Sequence, residues 1–328
     1  MSAQIPKILA IGGATQDVFF ENSREFRPVK VDSTHELIDL KLGSKIDVNQ
    51  IHYATGGGAT NAAVTFARQG LNASFFGVIG DDLAGQQVLQ DLEREFVDTS
   101  RVETSEIRKT DYSTIILAPN GERTILTYRG ASTQIFADNL AFRPHEFDWI
   151  YVSNLAGRMD TLDQIFSQAR ANDIKIMWNP GKNELAKFEE TISLLEDVDV
   201  LLVNKEEAQI LFGEFEPEEL LLRAKNRVKV AIITDGPNGV WATDGATMVR
   251  AGMYEDTPSV DRTGAGDAFG SGFLSQWAQG SALKPALLFA SANSTSVIQH
   301  FGAKEGILRK NQILDLHSMP MYEKRIDV

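Results

Sequence analysis

The pattern of apolar and polar positions divides the chain into two kinds of stretch. From about residue 149 onward, short β-rich runs at Trp149–Val152, Lys175–Trp178, Val198–Val203 and Val228–Ile233 alternate with helical stretches. That alternation predicts βαβ units, a parallel sheet and helices on both of its faces. Nearer the N-terminus, Ile8–Ile11 ends at Gly12-Gly13 and reads as a buried strand, while Ala62, Ala63, Phe66 and Ala67 form a small-residue helical face that stops at Gly70. Phe269, Phe273 and Trp277 recur every four residues, Leu274 widens the stripe and Gly280 ends it, which predicts an amphipathic helix beginning near Gly266. Pro285–Ile298 reads as a further core helix with a small-residue face.

Residues 18–55 have no helical period. They alternate polar and apolar residues, with Leu37–Leu42 as the clearest strand-like piece. Asp111–Leu117 and Glu122–Tyr128 flank Asn120-Gly121, a pairing that predicts a hairpin with a tight primed turn. Together the segments at about 18–55 and 108–130 predict a small antiparallel sheet inserted into, and standing outside, a single α/β domain that spans residues 1–328.

Composition narrows the function. With 43% hydrophobic and 23% charged residues in 328, the chain is ordinary globular material. A net charge of −13 argues against a nucleic-acid partner, which needs a basic face, but leaves room for a small anionic substrate held by local N–H groups and a metal ion. The absence of cysteine removes disulfides, thiolate nucleophiles and cysteine-based zinc sites, as suits a reducing cytoplasm. Met1–Lys7 lacks a signal peptide's apolar region, and no apolar run nears the roughly 20 residues needed to cross a bilayer. The expectation is a cytoplasmic protein without a membrane segment. None of the five histidines forms a metal-spaced pair.

The candidate chemistry lies where glycines meet helices. Free N–H groups at the start of the helix near Gly266 would bind an anion, and Gly264 and Gly266 let the backbone approach it closely. Asp267 then has two readings: a partner for the helix dipole, or a base beside a phosphoryl group. Asp17, arriving just after the first strand, either closes its turn or reads a ligand at the carboxyl ends of the strands. Gly56, Gly57 and Gly58 precede the alanine-rich helix that carries Asn61. No Gly-x-x-x-x-Gly-Lys-Ser/Thr occurs, and Gly270 follows Gly264-x-Gly266 one residue too late for a dinucleotide fingerprint.

Asp261-Arg-Thr-Gly-Ala-Gly-Asp-Ala-Phe269 resembles the C-terminal signature of the ribokinase-like, or phosphofructokinase-B, carbohydrate kinases. The resemblance implies a Rossmann-like sandwich with a small β-sheet lid, Asp267 as catalytic base, and the amides of Gly264, Ala265 and Gly266 as an anion hole. It extends over most of the chain. Asp17 matches an aspartate that reads substrate hydroxyls, and Gly56, Gly57 and Asn61 match a Gly-Gly-x-x-x-Asn element that contacts the sugar. Gly58, at its edge, stands where ribokinases often have lysine. Asn154 stands near the place of a sugar-binding glutamate that this chain lacks after Val152, and both departures disfavour ribose. Asn179-Pro180 matches a further strand-end element.

For the nucleotide, the resemblance implies Asn204 with Glu207, which organises Mg²⁺ through water, and the loop Thr234, Gly236 and Gly239 beneath ATP, with Ser291 near the adenine. Backbone around Asp261, Thr263 and Gly302 matches a monovalent-cation site suited to potassium. Arg129, at the base of the hairpin, could read a carboxylate, a phosphate or sugar oxygens. The expected activity is ATP-dependent phosphorylation of a small sugar. A nucleoside and a 2-keto-3-deoxy sugar acid stay open as substrates, and a non-catalytic sugar-binding protein is the reading from another class. Exposed lid edges suggest a homodimer.

Overall fold

The computed structural model describes residues 4–21, 24–32, 36–119, 122–252, 254, 259–312 and 319–326. Its centre is a nine-stranded sheet. Six strands run parallel, in the order Asn72–Phe76, Lys7–Ile11, Trp149–Val152, Lys175–Trp178, Val200–Asn204 and Val230–Thr234. Ile8, Leu9, Ala10 and Ile11 are all buried, the continuous apolar run of a strand covered on both faces. Alternate residues feed two cores. Ile8 and Ala10 pack with the helices Gly58–Arg68, Ala265–Trp277 and Leu283–Val297, and Leu9 and Ile11 pack with the helices of the opposite face.

The parallel expectation fails at one edge. Val240–Thr243, Thr247–Ala251 and Met321–Arg325 extend the sheet in antiparallel order. Only short connections join Thr234 to Val240 and Thr243 to Thr247, too short for the crossover that a parallel pair requires.

The second sheet is the lid, with four strands in the order Arg123–Tyr128, Asp111–Leu117, Thr15–Glu21 and Gln50–Gly56. It is mixed rather than antiparallel, because Thr15–Glu21 pairs in parallel with Asp111–Leu117. Phe19, Ile115 and Leu117 give it a small core of its own, joined by Ala54 and Phe301. Leu37–Leu42 does not form a lid strand. Glu36–Leu37 pairs only with Val29–Lys30, and the residues beyond Leu37 are without regular structure, with Leu42 96% exposed. Among the described residues no strand pairs with residues 38–42. Asn120-Gly121 lies outside the described residues, but the two flanking strands pair in antiparallel register as expected. No helix among the described residues is long and apolar enough to cross a membrane.

Candidate active site

The predicted helix runs Ala265–Trp277 and is preceded by Gly264 in the left-handed region at φ 77°. A side chain at Gly264 would also lie 2.9 Å from the Ala303 Cα, so both conformation and space require glycine there. The turn therefore delivers the first amides of the helix and the Asp267 carboxylate to the same place, at the carboxyl edge of the sheet.

Asn61, in the first turn and a half of the Gly58–Arg68 helix, donates from Nδ2 to Asp267 Oδ2 at 2.9 Å. This bond joins two elements 206 residues apart. Gly58 covers the other carboxylate oxygen so closely that an added Cβ would sit 3.1 Å from Asp267 Oδ1. Burial raises the Asp267 carboxyl above its ordinary range, while the Asn61 bond and the Lys304 charge oppose that rise. Such a carboxylate is a stronger base than one in water.

Asp17 does not close a turn. It lies within the lid strand Thr15–Glu21, buried, opposite Ala54 and beside Ser113 in register. Burial lifts its carboxyl too, against a hydrogen bond with Ser113 and the charge of Lys304. Gly56 leaves the space that Asp17 Oδ2 fills. A cavity opens between lid and sheet, lined by Gly57, Gly58, Arg129, Asn154, Asp111 and Ser113 among others. Arg129 is exposed at its wall and has no ion pair among the described residues. Asp111 is tied to its own loop: Oδ1 accepts from Gly130 N at 2.9 Å and Ser132 N at 3.1 Å, and Oδ2 accepts from Ser132 Oγ.

The remaining predicted residues fall into two groups. Asn204 and Thr234 are paired neighbours at the ends of adjacent strands, and Gly236–Asn238 forms a short turn directly beyond, closed by Gly239. Asn204 caps the next helix reciprocally with Glu207, each side chain accepting from the other's backbone N–H at 2.9 Å. Burial raises the Glu207 carboxyl, and only one of its oxygens is used by the cap, which leaves the other for water on a divalent ion. In the second group, Asp261 turns inward and accepts from Thr263 N at 2.9 Å, Thr263 Oγ1 at 2.7 Å and Gly302 N at 3.1 Å. The turn thus brings Asp261, Thr263 and Gly302 together. Ser291 is buried on the Leu283–Val297 helix, whose Ser294 donates to Ala265 O at 2.9 Å and so braces the start of the Ala265–Trp277 helix.

Sequence reading missed Ser113, Asp111 and Lys304. The first two carry no motif. Lys304 lies two residues beyond Gly302, where the resemblance points to backbone and not to a side chain. Its Nζ donates to Thr55 O at 2.9 Å and Thr55 Oγ1 at 3.1 Å, and burial lowers its ammonium to about 8. Among the described residues no cluster of three or more His, Cys, Asp or Glu forms a metal cage.

The chain is similar to several known proteins. The chain is 29% identical over 281 residues to a ribokinase of Bacillus subtilis, covering 85% of this chain and 92% of that protein. It is 27% identical over 289 residues to a probable fructokinase-7 of Arabidopsis thaliana, covering 81% and 84%. An Arabidopsis thaliana ribokinase solved with ribose and ATP superposes with a TM-score of 0.76 at 19% identity, covering 93% of this chain and 96% of that one. The family model of the pfkB carbohydrate kinases matches residues 27–310, and the chain belongs to that family.

Proposed function

We propose that the protein transfers the γ-phosphoryl group of ATP to a hydroxyl of a small sugar, with Asp267 as the general base. The observation that carries this reading is the pairing of a buried, basic carboxylate with the amide end of a helix, beside a cavity walled by polar groups. Asp17 and Asn61 orient the acceptor, and Asp267 Oδ1, which Asn61 leaves free, takes the proton of the attacking hydroxyl. The amides of Gly264, Ala265 and Gly266 stabilise charge as it builds on the transferred group. Asn204, Thr234, Gly236 and Gly239 form the nucleotide floor, with Ser291 toward the base. Glu207 would hold Mg²⁺ through water, and the ion would supply charge neutralisation on the phosphates when bound; Asp261, Thr263 and Gly302 are the residues that would hold potassium. The lid sheet covers the acceptor and excludes water as a competing acceptor.

A neutral ketose or furanose is the first substrate class, since the groups aimed at the cavity are hydroxyl readers. A sugar acid of the 2-keto-3-deoxygluconate kind is favoured by one observation: Arg129 lines the cavity wall with no ion pair among the described residues. ADP release from Mg-ATP, measured against ketoses, aldoses, sugar acids and nucleosides with and without potassium, tests both. Turnover that survives Asp267→Asn within tenfold would refute the assigned base, because a positioned base contributes about 10²–10⁴ in rate. Arg129→Met should weaken a sugar acid by tenfold or more in kcat/KM and leave neutral sugars within threefold.

A further inference from the structure

Lys304 has no part in the chemistry above, yet its half-buried side chain brings an ammonium against the lid edge at Thr55. Such a charge is costly to bury and persists where it is paired or used. Gly302, two residues earlier, packs on Ala54 of the lid so closely that an added Cβ would stand 2.8 Å from the Ala54 Cβ. From there the lysine reaches the lid's inner edge and donates to the carbonyl and hydroxyl of Thr55. The Thr55 hydroxyl donates a hydrogen bond to Asp91 Oδ2 at 2.9 Å, and Asp91 Oδ1 is held by Gln87 and Arg94, each at 2.9 Å. Thr55 faces Gln16 across the lid, and the adjoining Gly56 is the residue against which the Asp17 carboxylate rests.

Four elements bear on this ammonium. Asp17 from the lid, Asp91 from the Leu83–Arg94 helix and Asp267 from the Ala265–Trp277 helix surround it with negative charge, and Arg68 from the Gly58–Arg68 helix opposes them. Its hydrogen bonds go to Thr55 and not to the carboxylates, so it influences both Asp17 and Asp267 without blocking either.

We propose that Lys304 is a positioning residue of the acceptor site, a fixed internal cation that acts through Thr55 to set the lid edge and hold the Asp17 and Asp267 carboxylates toward one acceptor. The proposal rests on the reading of Asp17 and Asp267 given above. A mere strut between the C-terminal loop and the lid would affect acceptor and nucleotide alike, and its loss would not depend on Asp17.

The test is a double-mutant cycle on the full-length protein with Lys304→Met, Asp17→Asn and the double variant. The acceptor is whichever of D-fructose, D-ribose and 2-keto-3-deoxygluconate the wild type turns over fastest. Lys304→Met should raise the acceptor KM at least tenfold with the ATP KM within twofold, and in the Asp17→Asn background the rise should fall below threefold. Equal rises in both backgrounds, or an ATP KM that climbs in step, would overturn the proposal. Lys304→Gln, which keeps a donor to Thr55 and removes the charge, should raise the acceptor KM at least threefold and less than Lys304→Met does, and wild-type behaviour from it would overturn the role of the charge. Urea unfolding of the four ligand-free proteins gives the same cycle without turnover, and additive midpoint shifts there would also overturn the coupling. A wild type that turned over no acceptor would sink the kinase reading, while the unfolding cycle would still decide the link between Lys304 and Asp17.

Discussion

Gly57 and Gly58 are neighbours with opposite expected phenotypes when each is changed to alanine. Gly57 has φ 101°, and a Cβ there would overlap the Gly13 carbonyl oxygen and stand 2.8 Å from the Ala14 Cα. Backbone strain and overpacking each cost about 1–3 kcal/mol, so Gly57→Ala should lose about 2–6 kcal/mol of a total stability on the order of 5–15 kcal/mol. Gly58 lies inside the helix with ordinary dihedrals, where alanine gains about 0.4–1 kcal/mol by restricting the unfolded chain. Its new methyl would meet Ser153 Cβ at 3.0 Å and Asp267 Oδ1 at 3.1 Å, contacts tight enough to displace a side chain by a few tenths of an ångström. That crowding costs about 1 kcal/mol, which leaves stability within about 1 kcal/mol of wild type. The displaced group is the proposed base, and the methyl stands on the oxygen that Asn61 leaves free. Because a misplacement of about 1 Å can cost about 10²-fold, Gly58→Ala should reduce kcat by about 10–10²-fold in a coupled ADP-release assay at saturating acceptor and Mg-ATP. Urea midpoints measured in parallel separate the two effects. A Gly58→Ala protein with kcat within threefold of wild type would refute the placement of Asp267 Oδ1 as the proton acceptor.

Three further outcomes are expected. The acid limb of the kcat/KM profile should lie above the ordinary carboxylate range because burial raises Asp267, and Asn61→Ala should move it higher by removing the donor that opposes the rise; an unmoved limb would count against Asp267 as the titrating base. A carboxyl raised in the folded state keeps its stability below the unfolded value near 3.8 and loses it as pH climbs through the folded one. Asp267→Asn should therefore gain stability relative to wild type at neutral pH, with the gain vanishing under acid, as urea titrations across pH would record. Tyr151 buries a hydroxyl with no hydrogen-bond partner among the described residues, so Tyr151→Phe should match or exceed wild-type stability, by up to about 1 kcal/mol, and a clear loss would reveal an internal partner.

The core was legible because its signals are local. Trp149–Val152 and Lys175–Trp178 are continuous apolar runs between amphipathic helices, and nothing else buries such a pattern. The glycines at 264 and 266 told as much, since the left-handed Gly264 directly before Ala265–Trp277 marks where the helix begins. The lid was read less well for a physical reason. Its strands are half-exposed and mostly paired across long sequence gaps, so Thr15–Glu21 looked like the aftermath of a turn and Leu37–Leu42 looked like a strand. Asp17 was found, but its setting opposite Ala54 depends on a partner that lies 37 residues on. Lys304 illustrates the limit most clearly: a lysine near the C-terminus gives no sign that its ammonium ends beneath the lid.

The passage from core to lid has a mechanical consequence. Only Gly12, Gly13 and Ala14 separate the core strand that ends at Ile11 from the lid strand that begins at Thr15. Any tilt of the lid about that joint acts on Asp17 as on a point near the pivot of a lever. With about 3.4 Å per residue, Asp17 lies about 7 Å beyond Thr15 and Glu21 about 20 Å beyond it. A tilt of about 10° would carry Glu21 through about 3.5 Å and Asp17 through only about 1.2 Å on the same spacing. The far end of the sheet can swing by several ångströms while the Asp17 carboxylate stays almost in register with Asp267.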